Sequence, residues 1–117
     1  MPLSPTSDRG FDRGDVVIVP FPFTDRASTK RRPALVCSSR EFTERARHVV
    51  LAMITTCTAE AWPGDVPIKD LGAAGLPRLS TVRWKLFTLD VSFVIRRAGE
   101  LGEADVASCR RGQPITF

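Results

Sequence analysis

The sequence lacks most of the residues on which familiar enzyme sites are built. Tyrosine is absent from the 117 residues, and His48 is the only histidine. Neither a phosphate-binding GxxxxGK[ST] loop nor a GxSxG nucleophile elbow occurs. His48 opens a strand-like run after ERAR, where a lone histidine is more often a surface or packing residue than a general base. Any catalysis must therefore depend on arginine, lysine, threonine, serine or carboxylate side chains.

Cysteine is scarce and is not spaced for metal binding. Cys37, Cys57 and Cys109 show no CxxC pair, and with one histidine they do not make the ligand set of a structural zinc site. Their odd number also argues against a secreted disulfide scaffold. We expect Cys37 and Cys57 to be small buried hydrophobic residues, because both stand in strand-like runs. The sequence predicts no metal and no cofactor.

Long apolar runs are also missing. No segment approaches the roughly 18 apolar residues that a membrane span requires. The opening MPLSPTSDRGFDRG has no apolar core of a secretory signal. We expect a cytoplasmic protein with no membrane association. The length suits one domain, which we place at residues 13–117 after a flexible leader at residues 1–12.

The apolar residues that are present predict a mainly β fold. Residues 16–19 are β-branched and favour a strand, and Pro20 and Pro22 are predicted to end its pairing. The polar segment TDRASTKRR is predicted to be a loop, and REFTERAR a loop or a helical turn. Early acids, late arginines and Gly112 predict a helix over ELGEADVASCRRG. Further strands are predicted in PALVCSS, HVVLAMITT, DVPIKD, STVRW, LFTLD and SFVIRRAG, which together indicate a small, strongly bent antiparallel sheet or barrel.

A tight cationic cluster precedes the second predicted strand. Lys30, Arg31 and Arg32 stand directly before Pro33, in a chain of net charge +4 that favours a polyanionic partner. Proline restricts Arg32 to extended backbone geometry, and the forked donors of a guanidinium match phosphate oxygens. The alternative is a solvated arginine that flanks a strand, and the spacing by itself favours this alternative.

Two further segments offer groups that can bind phosphate. Thr55 and Thr56 end LAMITT, and a threonine hydroxyl can donate to a phosphate oxygen, although threonine is also simply a good strand former. In STVRWK, Arg83 and Lys85 alternate with Trp84, so both cations fall on one strand face. This pattern predicts a phosphate-binding face on which Trp84 stacks bases if it is exposed. A buried Trp84 with solvated cations is equally compatible with the pattern.

These segments, in this order, resemble the MazF/PemK/Kid family of toxins from toxin–antitoxin systems. RGDVVIVPFPFTD resembles the family's first strand and loop, RRPALVCS its arginine-proline strand start, and MITT the end of its third strand. DVPIKDLGAAGLPRLSTVRWKLFTLD resembles the central segment of the PemK-like branch. The resemblance spans about residues 13–110. It implies an SH3-like barrel of the CcdB/PemK type with a short C-terminal helix, which dimerises and binds single-stranded RNA in a groove across the dimer.

The resemblance also implies a metal-independent endoribonuclease that cleaves single-stranded RNA at short sequence motifs. The catalytic arginine of the Arg-Pro motif corresponds to Arg32, and the threonine at the third strand end to Thr55, with Thr56 as the register alternative. An arginine of Kid-like members corresponds to Arg83. The aspartate that those members carry two residues later is replaced here by Lys85, so the general base is unassigned.

We expect the ribose 2′-OH to attack the adjacent phosphorus, leaving 2′,3′-cyclic phosphate and 5′-OH ends and so inhibiting translation and growth. Arg32 would stabilise the charge on the phosphoryl oxygens. The residues predicted to contact RNA are Lys30, Arg31, Thr56, Arg83 and Lys85. Phe21 and Phe23 either stack bases or fill the core.

The implied partners are single-stranded RNA, a second copy of the chain, and an antitoxin whose acidic or amphipathic segment covers the RNA groove. A dimer doubles the net charge of +4 to +8. The alternative function is that of a non-cleaving member of the same fold, which binds RNA or, as CcdB-type toxins do, inhibits DNA gyrase.

Overall fold

The computed structural model describes residues 10–21, 30–56 and 60–112, which form six strands and three α-helices. The strands are β1 (Asp15–Phe21), β2 (Lys30–Val36), β3 (His48–Thr55), β4 (Val66–Pro67), β5 (Thr81–Asp90) and β6 (Arg96–Glu100). The helices are α1 (Arg40–Ala46), α2 (Leu71–Ala74) and α3 (Glu103–Gly112), and a 3-10 turn covers Val91–Phe93. Within these ranges, no helix is long and apolar enough to cross a membrane.

The strands form one antiparallel sheet, in the order β4-β5-β3-β2-β1-β6, which curls into a half-barrel. The mainly β fold and the short C-terminal helix predicted from the sequence are therefore confirmed. Residues 1–9, most of the predicted leader, lie outside the described residues.

Both faces of the sheet carry a hydrophobic core, which explains why several strands are nearly continuous apolar runs. One face, the helix-covered face, packs against α2 and α3. Its core includes Val16, Leu35, Ala52, Ile54, Val82, Trp84, Ala74 and Cys109. The other face, the second face, has its own cluster, formed by Val17, Val19, Ala34, Val36, Val49, Leu51 and Leu89. Successive side chains of a strand point to opposite faces. A strand residue therefore lies on the same face as the cluster members two positions away from it.

Pro20 and Pro33 lie inside strands at positions where only one neighbouring strand is paired. Pro20 lies within β1, so the prediction that it ends the strand is wrong; β6 pairs with β1 only as far as Ile18. Pro33 lies within β2, whose pairing with β3 begins at Ala34. Proline is tolerated at such positions because its missing N–H would have no ladder partner on the open side. Pro22 lies outside the described residues.

β2 begins earlier than the sequence predicts. The predicted strand starts at Pro33, whereas β2 starts at Lys30, because β1 continues to pair with it as far as Phe21 opposite Lys30. Arg32 therefore lies within a strand and not in the loop before it. The remaining residues of the predicted loop, 24–29, lie outside the described residues.

β5 unites two segments that were predicted as separate strands. The register of its pairing with β3 shifts once: Ala52 pairs with Leu86, but the next β3 residue, Met53, pairs with Arg83. Residues 84 and 85 are thus extra residues on β5, as in a β-bulge. SFVIRRAG is a strand only from Arg96 onward, because the 3-10 turn takes up its first residues. REFTERAR forms α1 and not a loop.

Cys37 and Cys109 lie in the core of the helix-covered face. Burial raises the pKa of the Cys37 thiol to about 12 and that of the Cys109 thiol to about 11. The prediction of a buried hydrophobic role is confirmed for Cys37. Cys57 lies outside the described residues.

Candidate functional site

At one end of the sheet, β2 and β3 stop pairing with each other. Residues 34–36 of β2 pair with residues 51–53 of β3, and within the described ranges the ladder between these strands ends there. Beyond that point β2 continues along β1 to Lys30, and β3 continues along β5 to Thr55. The interval between residues 30–33 and residues 54–55 is termed the β2–β3 gap.

Arg32 and Thr55 lie opposite each other across the β2–β3 gap. Ala34 pairs with Met53, and two steps outward along each antiparallel strand lead to Arg32 and Thr55. Both belong to the second face, since Arg32 also pairs with Val19 of the second-face cluster. Arg32 is exposed and Thr55 is half-buried. The two residues predicted to be catalytic therefore face each other in register, each two residues beyond the last β2–β3 pair.

The rim of the gap is strongly cationic. Lys30, Arg31 and Arg32 are all exposed, and none of their side chains has a hydrogen-bond or ion-pair partner among the residues that the structure describes. Lys30 shares the second face with Arg32, whereas Arg31, opposite Pro20, points to the other side of the sheet. The positive charge at this end is therefore not neutralised by nearby carboxylates within the described part of the chain.

Arg83 has a different environment from the one predicted. Its Nε donates to Asp65 Oδ1 at 3.2 Å, and its Nη2 donates to Asp65 Oδ2 at 2.9 Å and to the Glu60 carbonyl at 2.6 Å. Only 12% of its side chain is exposed. The hydrogen bonds from Arg83 hold the pKa of the Asp65 carboxyl below its usual value. Arg83, which was predicted to bind phosphate, therefore binds residues 60 and 65 instead. The segment formed by residues 60–65 is termed the 60–65 loop.

The 60–65 loop is fixed at two neighbouring residues of β5. Besides the pair with Arg83, Asp65 Oδ2 accepts from the Trp62 N–H at 3.0 Å, and the Asp65 N–H donates to the Trp62 carbonyl at 3.0 Å. The Trp84 indole N–H donates to the Gly64 carbonyl at 2.6 Å. Trp84 is buried on the helix-covered face. Of the two interpretations of Trp84, burial in the core is therefore right and base stacking is wrong.

Sequence analysis missed the exposed aromatic residue of this region, Trp62. Its side chain remains 41% exposed, and the Lys85 Nζ lies 4.7 Å from the centre of its ring. The segment EAWPGD places Trp62 among turn residues, directly before Pro63 and Gly64. The periodicity of the surrounding residues does not distinguish it from a core tryptophan.

The other candidate residues are more scattered. Thr56 is exposed directly after β3, and Phe21 is half-buried at the end of β1; Phe23 lies outside the described residues. His48 begins β3 at the opposite end from Thr55 and is exposed, in agreement with a surface role. Among the described residues, no three His, Cys, Asp or Glu side chains form a group that could hold a metal ion.

A family profile described as PemK-like, MazF-like toxin of type II toxin–antitoxin systems matches residues 12–112. The chain belongs to this family. Comparison with curated proteins gives no match.

Solved structures of MazF toxins share the fold of this MazF-like toxin. The toxin MazF-mt6 of Mycobacterium tuberculosis is 22% identical, with a TM-score of 0.67 over 84% of this chain and 90% of that one. MazF in a MazE–MazF complex from Deinococcus radiodurans is 24% identical, with a TM-score of 0.66 over 86% and 90%. An endoribonuclease in complex with its cognate antitoxin, from a mycobacterial species, is 18% identical, with a TM-score of 0.66 over 87% of each chain. These similarities establish the MazF/PemK-type fold that the sequence predicts.

Proposed function

We propose that this MazF-like toxin is a metal-independent, sequence-specific endoribonuclease that cleaves single-stranded RNA and so inhibits translation and growth. The observation that carries the proposal is that Arg32 and Thr55 face each other in register across the β2–β3 gap, next to cations that have no carboxylate partners within the described residues. The similarity in fold to a mycobacterial endoribonuclease supports it.

The chemistry requires little beyond positioning and charge stabilisation, because RNA carries its own nucleophile. The 2′-oxygen attacks the adjacent phosphorus while the bond from phosphorus to the 5′-oxygen breaks, leaving a 2′,3′-cyclic phosphate and a 5′-OH end. Arg32 stabilises the negative charge that develops on the non-bridging oxygens, and the Thr55 hydroxyl donates a hydrogen bond to the same phosphoryl group. A guanidinium carried on an extended strand is well suited to this electrostatic role, because it is planar, permanently charged and offers several donors.

Binding is assigned to the residues around the gap. Lys30 and Lys85 neutralise phosphates on either side of the scissile bond, Arg31 binds phosphate of the RNA on the other side of the sheet, and Thr56 donates a further hydrogen bond. Arg83 is assigned a positioning role, because its guanidinium is already bound by Asp65 and by the Glu60 carbonyl. The proposal thus keeps the predicted residues but changes the role of one of them.

The proposed partners follow from charge and from the related complexes. A homodimer would place two copies of the cationic gap on one RNA-binding surface. An antitoxin segment of acidic or amphipathic character would compete with RNA for the same cations, and MazE–MazF and endoribonuclease–antitoxin complexes exist for proteins of this fold. Cleavage should therefore stop when the toxin is saturated with its antitoxin, and undiminished cleavage by the saturated complex would refute this partner assignment.

The decisive experiment is incubation of the purified protein with a long RNA of defined sequence in the presence of EDTA, followed by mapping of the product ends. We expect fragments with 5′-OH ends at a short recurring motif. Arg32→Ala should lower the cleavage rate by roughly 100-fold or more, which is the typical effect of losing one preorganised charge-stabilising donor. His48→Ala, at the far end of β3, serves as the control and should cleave normally.

Two outcomes would overturn the proposal. Near-normal cleavage by a folded Arg32→Ala protein would remove Arg32 from the catalytic site. RNA that remains intact with the wild-type protein would favour the non-cleaving alternative, and inhibition of DNA gyrase in a parallel assay would then identify the gyrase-inhibitor type.

A further inference from the structure

We propose that Trp62 and Lys85 form a nucleobase-stacking subsite beside the β2–β3 gap. In this subsite the Trp62 indole stacks on an unpaired base, and the Lys85 ammonium neutralises a phosphate next to that base. The inference rests on the proposed function for the identity of its ligand, single-stranded RNA. It goes further by naming residues that bind one of the bases.

The exposure of Trp62 is the first observation. The chain has two tryptophans, and Trp84 is only 6% exposed whereas Trp62 is 41% exposed. An indole left in water forgoes a large hydrophobic gain. A tryptophan that is held at the surface, next to a cationic site, is therefore a candidate for contact with a ligand that has a flat apolar face.

The rigidity of Trp62 is the second observation. Its backbone N–H is bound by the Asp65 carboxylate, its carbonyl is bound by the Asp65 N–H, and that carboxylate is fixed by Arg83. The neighbouring Gly64 carbonyl is bound by the buried Trp84. The main chain on which the indole sits is thus ordered before any ligand binds, and a preorganised platform loses less entropy on binding than a mobile one.

The position of Lys85 is the third observation. It is one of the two extra residues of β5, and the Lys85 Nζ lies 4.7 Å from the ring centre of Trp62. No ion pair of Lys85 occurs among the described residues. Phosphates and bases alternate along a single strand, so a neighbouring ammonium and indole can bind a phosphate and the base next to it. This pairing favours RNA over a protein partner.

The subsite is continuous with the proposed cleavage site. Arg83, which anchors the 60–65 loop, pairs with Met53, and Thr81 pairs with Thr55 on the same two strands. Neighbouring strands lie about 4.8 Å apart, so the anchor of the loop lies close to Thr55. A nucleotide adjacent to the scissile phosphate is the one that we assign to Trp62.

The test uses the Arg32→Ala background, in which cleavage should be slow enough for binding to be measured. Affinities are measured for a single-stranded oligoribonucleotide and for an abasic oligomer of the same length. Trp62→Ala should weaken binding of the oligoribonucleotide roughly 5- to 150-fold, the range for one lost base stack, and should leave binding of the abasic oligomer unchanged. Trp62→Phe should restore most of the affinity, and Lys85→Gln should weaken binding of both oligomers.

Phe93→Ala is the matched control, because Phe93 is a 57% exposed aromatic residue that follows the opposite end of β5. It should bind both oligomers like the parent protein. Tryptophan fluorescence adds a direct readout: the oligoribonucleotide should quench it in the parent but not in Trp62→Phe, in which only the buried Trp84 remains.

Equal affinity of Trp62→Ala and its parent for the oligoribonucleotide would overturn the subsite. Unchanged RNA binding together with weaker antitoxin binding would also overturn it, and would assign the indole to a protein interface. The two proposals fail separately: if the wild-type protein leaves RNA intact while Trp62→Ala still shows the selective loss, cleavage is refuted and the subsite stands.

Discussion

Gly64 combines a backbone conformation and a packing environment that few other residues could satisfy. Its φ of +79° lies in the left-handed region, and a Cβ at this position would come within 2.8 Å of both the Gly112 carbonyl oxygen and Trp84 Cδ1. Both atoms belong to the packed body of the molecule, so neither can move away easily. The 60–65 loop can therefore lie against Trp84 only because residue 64 has no side chain.

Gly64→Ala should consequently destabilise the protein by about 1–3 kcal/mol, the usual cost of a strained backbone conformation, as measured by urea unfolding. Gly72→Ala is the matched control. Gly72 lies in α2, and the nearest atom to its added Cβ is 3.7 Å away, so the change should be neutral or stabilising by up to about 1 kcal/mol. Equal effects of the two substitutions would refute the packing argument.

At the scale of elements, the 60–65 loop is held by an ion pair whose strength depends on pH. Arg83 stays charged, and it lowers the pKa of Asp65 in the folded protein. A carboxyl whose pKa is lower folded than unfolded stabilises the fold above its unfolded pKa. This stabilisation is lost as the pH falls through the lowered folded pKa.

Asp65→Asn should therefore unfold at a lower temperature than the wild-type protein at about pH 7, and the difference should shrink as the pH falls towards about 2. Thermal unfolding of both proteins across this range provides the measurement. The pKa of Asp90 is also lowered, by hydrogen bonds from Ser92. Because both proteins contain Asp90, its contribution to the pH dependence of stability cancels in the comparison. A difference that stays constant down to low pH would show that the ion pair is not its source.

Elements with strong local signals could be predicted from the sequence, and elements that depend on their neighbours could not. The β-branched run at residues 16–19 and the charge pattern of α3 indicated their structures correctly. The start of β2 at Lys30 was not predictable, because it depends on how far β1 extends past Pro20. The extra residues 84 and 85 of β5 likewise follow from pairing with β3, not from local propensity.

In the candidate site, too, some features could be predicted from the sequence and others depend on neighbouring elements. Arg32 and Thr55 were identified through the resemblance to the toxin family, but their opposition across the β2–β3 gap appears only in the strand register. The bond between Arg83 and Asp65 joins residues from different elements, and nothing in the spacing of charges along the chain indicates it. Trp62 was missed because a loop residue carries no periodicity from which exposure can be read.

At the scale of the whole molecule, a net charge of +4 implies that RNA binding depends on salt. Affinity for a single strand should fall as salt is raised. Lys30→Ala should reduce the magnitude of the logarithmic salt slope by about 0.7, the value for one phosphate contact on a single strand. Binding of the Arg32→Ala protein and its Lys30→Ala derivative, measured across a salt series, tests this.

Arg45→Ala controls for the loss of net charge. The Arg45 side chain is 82% exposed on α1, which precedes His48, the end of β3 that is farthest from Thr55. It should leave the salt slope unchanged. If both substitutions reduced the slope equally, binding would depend on overall charge and not on the rim of the β2–β3 gap.

Pro20 and Pro33, which lie within β1 and β2, also bear on the behaviour of the protein at high concentration. Pro20 and Pro33 occupy positions where a strand has an open side, and open strand edges are the sites at which proteins aggregate by adding foreign β-strands. A proline offers no N–H to such an intruder. Pro33, where β2 borders the β2–β3 gap, therefore discourages another chain from pairing along that side of β2, and Pro20 does the same on the side of β1 that β6 leaves open.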